Sequence, residues 1–229
     1  MIVPDRPLTV AAVDDHPFVL RGIESALADH APWVTVVRQA PSVTALLHGP
    51  GRPAEIVLLD LHLQADTDRD PGDNVRRLVA RGAAVIVLTA ESRPVPIREA
   101  VAAGAAGVCL KADPVETLVC ALRAVRAGEL ATSSTLAHAL VTDDRLTTGL
   151  TTREREVFDL LAHGVGRSEI GKLLSPPVTV HAVDACVKRV AQRYRALGRP
   201  TFNAYETLTQ LVHDGHLDLH AGPPPRPSG

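Results

Sequence analysis

Short, almost wholly apolar runs alternate with longer amphipathic segments through the first half of the chain. The runs Thr9–Val13, Val34–Arg38, Ile56–Leu59, Val85–Leu88 and Gly107–Leu110 show little polar alternation, which predicts strands covered on both faces. Between them, Pro17–His30, Val43–His48, Gly72–Arg81, Val95–Ala103 and Pro114–Ala127 follow the helical period. Five strands alternating with five helices predict parallel crossovers and a doubly wound sheet over residues 1–130. Residues 131–149, "ATSSTLAHALVTDDRLTTG", predict a linker carrying at most one weak helix. From 150 to 220 the strand pattern is gone, and helices are expected at Thr152–His163, Arg167–Leu174, Thr179–Leu197 and Phe202–Asp214. The ending "AGPPPRPSG" (221–229) predicts a disordered tail.

The apolar runs end on chemistry. "LTVAAVDDHPF" closes on Asp14 and Asp15, "EIVLLDL" on Asp60, "AVIVLTA" on Thr89 and "GVCLKAD" on Lys111. Adjacent carboxylates repel each other, and neither is buried cheaply without a partner. One such ending is an ordinary strand terminus with Asp as a turn residue. In a parallel sheet, however, all these residues emerge at one edge, where open α/β sheets place their ligands. Three carboxylates, a hydroxyl and an ammonium would converge at one rim, and the paired acids there suggest a hard cation.

Composition narrows the class without deciding it. The chain is 45% hydrophobic, only 3% aromatic, and carries a formal net charge of −2, as expected of a water-soluble protein with an aliphatic core. No apolar run approaches the roughly 18 residues that a membrane span needs, and "MIVPDRPLTV" lacks the basic and apolar regions of a signal peptide. Cys109, Cys120 and Cys186 are spaced for neither a disulfide framework nor a metal knuckle. A cytoplasmic location is the expectation. No Gly-rich phosphate loop is present, so nucleotide binding has no support.

On these residues the front half resembles the receiver domain of two-component response regulators, and "VDDHPFVLRGIESAL" is similar to the opening of the NarL/FixJ group. The resemblance implies a flavodoxin-like five-stranded parallel sheet in the order 2-1-3-4-5. It implies that Asp60 accepts a phosphoryl group from a sensor histidine kinase and that Asp14, Asp15 and Asp60 hold Mg²⁺. Thr89 would bond a phosphoryl oxygen, and Lys111 would pair with Asp60 and then with the phosphate. Three departures stand out. The loop after Asp60, "LHLQADTDRDPGDN", is long and acidic, with Asp66, Asp68 and Asp70. Val108 stands where many receivers carry Tyr or Phe, and Ala112 follows Lys111 where Pro is common. Haloacid-type phosphohydrolases share the Asp, Thr/Ser and Lys, but need an acid two residues after the nucleophile. Here that residue is His62, so the expectation is a regulator and not an enzyme.

"LTTREREVFDLLAHGVGRSEIGKLL" reads as a helix capped by Thr151 or Thr152, two glycines, and a short helix that Ser168 can cap. After the turn "SPPV", Thr179 caps a longer helix whose Val183, Val187, Val190 and Tyr194 line one face. Short helix, turn, longer helix is the geometry of a helix-turn-helix. The segment is similar to the four-helix LuxR-type DNA-binding domain, with "LTxREREVL" and "xxEIAxxL" as its markers; "VKRVAQRYRALGRP" resembles a longer-helix variant among actinobacterial regulators. The resemblance implies binding of double-stranded promoter DNA as a homodimer, with Thr179, His181, Lys188, Arg189 and Arg193 at the DNA. Two extra residues in the turn, with Pro176 and Pro177 in it, and Asp184 at a position commonly filled by Lys depart from the family. Residues 150–220 hold nine Lys/Arg against eight Asp/Glu, a modest balance for a nucleic-acid binder.

The reading is therefore a transcription factor controlled by phosphorylation of Asp60. The alternative is a regulator whose receiver is controlled by dimerisation, a partner or a ligand without phosphorylation. A third class, an interaction module that has lost DNA binding, draws on Asp184 and the proline-bearing turn. Neither the cognate kinase, the operator, nor the direction of transcriptional control is written in the sequence.

Overall fold

A computed structural model of the chain describes residues 6–49, 54–64, 71–143 and 147–217. The acidic positions Asp66, Asp68 and Asp70, residues 144–146 of the expected linker, and the tail at 221–229 lie outside the described residues. The chain divides into two compact units after Thr142, apart from Arg93–Val95, which group with the second.

The first unit alternates strand and helix: β1 (Leu8–Val13), α1 (Pro17–His30), β2 (Val34–Ala40), α2 (Val43–His48), β3 (Ile56–Leu59), α3 (Pro71–Val79), β4 (Ala84–Thr89), α4 (Pro94–Ala102), β5 (Gly107–Leu110) and α5 (Val115–Arg126). All strand pairings are parallel, and the first five strands follow the order β2-β1-β3-β4-β5. β3 and β5 are buried at every residue, as an aliphatic run between two helical layers requires. One core cluster joins Val10, Leu58, Ile86 and Cys109 of the sheet to Leu20, Ile23 and Leu27 of α1 and Leu118, Leu122 and Val125 of α5.

The sheet does not stop at five strands. Residues 131–142, expected as the beginning of the linker, form β6 (Ala131–Thr132) and α6 (Thr135–Thr142), and β6 pairs in parallel with β5. A two-residue strand has no readable period. Gly107 makes room for it, since a Cβ there would lie 3.2 Å from the Ala131 carbonyl oxygen. Ser133 then fastens the extension, donating its backbone N–H to the Val108 carbonyl and accepting the Leu110 N–H at its hydroxyl.

The second unit is helical: α7 (Thr152–Ala162), α8 (Arg167–Leu173), α9 (Val180–Ala196) and α10 (Ala204–Asp214). Thr151 and Glu154 form a reciprocal capping box on α7, which satisfies two amides that the helix itself cannot. Thr179 caps α9 and Asn203 caps α10. α8 begins at Arg167 behind Gly166, which makes no side-chain cap, so Ser168 lies inside the helix and caps nothing. Phe158, Val187, Val190, Tyr194 and Leu211 form one core cluster, and Val157, Ile170, Leu174, Val183 and Cys186 form a second beside it.

The lengthened turn between α8 and α9 folds back over α8 because residue 171 is glycine. The Val178 N–H donates to the Gly171 carbonyl at 2.8 Å, and a Cβ on Gly171 would stand 2.4 Å from the Val178 carbonyl oxygen. From the other side, Arg153 of α7 donates to the Ser175 carbonyl at 3.1 Å and to the Pro176 carbonyl. In a free helix, Gly→Ala gains about 1 kcal/mol. Here Gly171→Ala is expected to lose about 2 kcal/mol instead, because backbone and not a flexible side chain must move. Urea denaturation followed by helical circular dichroism measures it, and a variant as stable as the parent would show that the turn has another path.

His216 links the end of this unit to its beginning. The buried ring meets the Thr147 hydroxyl at 3.0 Å through Nε2. Burial first, and then the charge of Arg155, push its pKa down to about 4. The unfolded chain, titrating near 6.5, then binds the proton that the folded state refuses. Stability conferred by this residue is therefore complete above pH 6.5 and falls as the pH drops toward 4. Between pH 6.5 and 5 the loss is expected to reach about 2 kcal/mol, and His216→Gln should flatten the urea midpoint over that interval. A slope unchanged by the substitution would assign the acid sensitivity elsewhere.

Candidate functional site

At the carboxyl edge of the sheet, the ends of β1, β3, β4 and β5 bring together the residues that the sequence placed there. Asp14 and Asp60 are buried, Asp15 is largely so, and Lys111 reaches across both aspartates. Its Nζ donates to Asp14 Oδ2 at 2.6 Å and to Asp60 Oδ2 at 2.7 Å. Burial works against the ammonium charge, but the hydrogen bonds and negative charges of Asp14 and Asp60 outweigh it and raise the Lys111 pKa above its ordinary value. Lys111 is itself fixed by the sheet, since its backbone N–H donates to the Thr89 carbonyl at 2.9 Å. Thr89 is fully buried, and its hydroxyl oxygen accepts the Glu91 N–H at 3.0 Å, leaving the hydroxyl hydrogen available to donate.

The donor set suits a hard divalent cation. One ligand atom each from Asp14, Asp15, His16 and Asp60 lies within 4.8 Å of the others. Asp15 Oδ1 is buried without a hydrogen bond, although His16 Nδ1 stands 2.9 Å away in a charge-pair arrangement. A buried carboxylate oxygen lacking a well-aligned donor is the kind of atom that a metal satisfies.

Three residues of this site were not singled out for it by sequence. His16 approaches both Asp14 and Asp15; its place in "DDHP" was the only signal. His62 donates its backbone N–H toward Asp60 Oδ1 at 3.4 Å, and its Nε2 lies 2.7 Å from Glu91 Oε2. Glu91 is buried two residues beyond Thr89, and its pairing with a residue 29 positions away is invisible to any local pattern. Val108 is fully buried on β5 and paired with Thr132, so a short aliphatic side chain fills the place where an aromatic residue was noted as missing.

In the second unit, α9 presents one solvated face. Val183, Cys186, Val187, Val190, Ala191 and Tyr194 are buried, which leaves His181, Ala185, Lys188 and Gln192 along the opposite side at helical spacing, all exposed. Of the residues expected at DNA, Thr179, His181, Lys188 and Arg189 are exposed at or beside this face. Arg193 is not. It turns inward and donates to Glu154 Oε2 at 2.6 Å, because Glu154 is buried by the capping box and needs a counter-charge. Arg189 Nε stands 3.8 Å from the same carboxylate, and Arg199 is committed to Asp214. Sequence counting therefore overstated the free positive charge of this helix. Asp184 pairs with Arg167 of α8 at 3.3 Å, which offsets the repulsion that a carboxylate would exert on phosphate.

No family model matches the chain. It is 27% identical over 203 residues to the nitrate/nitrite response regulator protein NarL of Escherichia coli K12, covering 85% of this chain and 92% of that one. It is 29% identical over 178 residues to the transcriptional regulatory protein RcsB of the same organism, covering 73% of this chain and 80% of that one. Among solved structures, two RcsB dimers bound to two parallel DNAs superpose with a TM-score of 0.65 at 26% identity, covering 91% of this chain and 99% of that one. RcsB of Salmonella enterica serovar Typhimurium, bound to promoter P1flhDC in the presence of phosphomimetic BeF3⁻, gives 0.64 at 26% identity, covering 90% of this chain and 98% of that one.

Proposed function

We propose that this chain, a response regulator of the NarL/FixJ type, is a transcription factor in which phosphorylation of Asp60 controls binding to promoter DNA. The observation that carries the reading is the Lys111 bridge between Asp14 and Asp60 in a chain that continues into a helix-turn-helix. An Asp60 carboxylate oxygen attacks the phosphorus of a kinase phosphohistidine; the P–N bond breaks, and the imidazole leaves with the electron pair. Asp14, Asp15 and Asp60 would hold Mg²⁺, which offsets the repulsion between these carboxylates and the phosphoryl oxygens. Lys111 shifts from Asp60 to the new phosphate, and the Thr89 hydroxyl donates to a phosphoryl oxygen. The receiver runs to Thr142, residues 143–149 link, and 150–220 bind DNA.

At the DNA, Thr179 and Lys188 meet phosphates while His181, Ala185 and Gln192 face base edges, Gln192 being suited to adenine and Ala185 to a thymine methyl. A homodimer doubles these contacts on paired half-sites, which compensates for the modest charge. Among the described residues no helix is long and apolar enough to cross a membrane.

The test is retardation of the chain's own upstream DNA across a salt series, before and after treatment with a small-molecule phosphodonor. Phosphorylation should raise affinity and dimer mass together. Lys188→Ala should lower the slope of log affinity against log salt by about 1. Binding that ignores the donor would favour the phosphate-independent regulator, for which the buried Val108 is the supporting observation. No binding at any salt would overturn both.

A further inference from the structure

We propose that a cleft between α2, β2 and α3 is a second binding site, built for a small apolar monocarboxylate. The cavity measures about 110 Å³. Its floor is apolar and buried, made by Ala11, Val57 and Leu78, with Leu46 on its wall. Arg38 and Arg81 both line the same cleft. It shares no residue with the carboxylate pocket. Asp60 follows the carboxyl end of β3, whereas the cleft takes Val57 from near its beginning.

Among the described residues neither Arg38 nor Arg81 has a carboxylate within ion-pair distance. Arg38 is nonetheless positioned: its Nη1 donates to the Leu46 carbonyl at 2.8 Å. Gly49 lets the guanidinium lie close to the backbone, since a Cβ there would stand 2.9 Å from Nη2. One fixed cation, Arg38, beside an apolar floor calls for a ligand with an anionic head and an apolar body. The planar guanidinium fork matches a carboxylate. The size fits a short chain outright and a single ring only with an edge left in solvent, since the enclosed apolar cavity that accommodates benzene is larger, roughly 150 Å³. A bare inorganic anion would gain nothing from the floor, and a long lipid tail would not fit.

The full-length protein, labelled with ¹⁵N, is titrated at fixed ionic strength with benzoate, benzyl alcohol and inorganic phosphate. Benzoate should shift the amides of Arg38, Gly49, Val57 and Ala83 and saturate. Benzyl alcohol should bind about tenfold more weakly, the loss expected for one charge-assisted pair, and phosphate should leave these amides unmoved. Arg38→Met and Arg81→Met should each weaken benzoate about tenfold. Leu47→Trp, which fills the cleft and keeps both arginines, should abolish binding. Native amide dispersion and phosphoryl uptake at Asp60 report that each variant is folded. Phosphate shifting the same amides as strongly as benzoate would overturn the proposal by reducing the cleft to a surface anion site. So would no saturable shift in the parent, or benzoate binding undiminished in the three variants.

Discussion

Asp60→Asn is expected to abolish phosphoryl uptake from both a cognate kinase and a small-molecule phosphodonor, with no loss of fold. An amide oxygen is far too weak a nucleophile to attack phosphorus, so the expected fall in rate is at least on the order of 10⁴. The structural consequence runs the other way. Asp14 and Asp60 are two buried carboxylates sharing one ammonium, each 2.6–2.7 Å from Lys111 Nζ. Replacing one by a neutral amide removes like-charge repulsion and leaves Lys111 bound to Asp14. The variant should therefore be as stable as the parent or more so. Lys111→Met is the opposite case: it strands both carboxylates in a buried site and should destabilise the first unit. Intact mass before and after donor treatment, with thermal unfolding beside it, reads both effects. A phosphate-sized gain that persists in Asp60→Asn would move the acceptor to another side chain. An unstable Asp60→Asn protein would mean that the Lys111 bridge is held together by both acids and not crowded by them.

Much of this pocket was legible because a parallel sheet converts sequence position into place. Each strand begins at one edge and ends at the other, so the residue after each apolar run is carried to the same rim whatever lies between. Asp14, Asp60, Thr89 and Lys111 needed no more than that rule. Helices were legible for a similar reason: Val183, Val187, Val190 and Tyr194 repeat at a spacing that only one face satisfies. What resisted reading depends on pairs that share no period. Glu154 is a first-turn acid of α7, but its burial draws Arg193 out of the solvated face where the family resemblance had put it. The His62–Glu91 pair joins two loops, and the cleft with Arg38 and Arg81 joins three strands and two helices. β6 was missed because two residues carry no alternation; only the bare Gly107 beside it marks the approach.

Arg199→Ala should unfold or severely weaken the second unit, because Arg199 is the counter-charge of a buried carboxylate. Asp214 at the end of α10 is almost fully buried. It accepts the Tyr194 hydroxyl at 2.8 Å and a forked pair of bonds from Arg199 at 2.7 and 3.1 Å. The same guanidinium lies 5.2 Å from the Tyr194 ring centroid and donates to Gln210. Removing it leaves a buried carboxylate with only the Tyr194 hydroxyl and the exposed His213 imidazole, 3.5 Å away, beside it, and strips packing from the aromatic ring that anchors α9. The expected loss is about 3–4 kcal/mol, a large share of what a domain of this size has to lose. Arg199→Lys keeps the charge but not the fork, so it should recover only part. Pairing Arg199→Met with Asp214→Leu removes both charges, and should restore most of the stability despite deleting an ion pair. Urea denaturation of the parent, Arg199→Met alone, Asp214→Leu alone and the double variant forms a cycle. A small effect of Arg199→Ala alone, with DNA affinity reduced in proportion to salt sensitivity, would instead place Arg199 among the DNA-facing residues. A large effect that the double replacement relieves would fix it as the counter-ion that lets α10 close over α9.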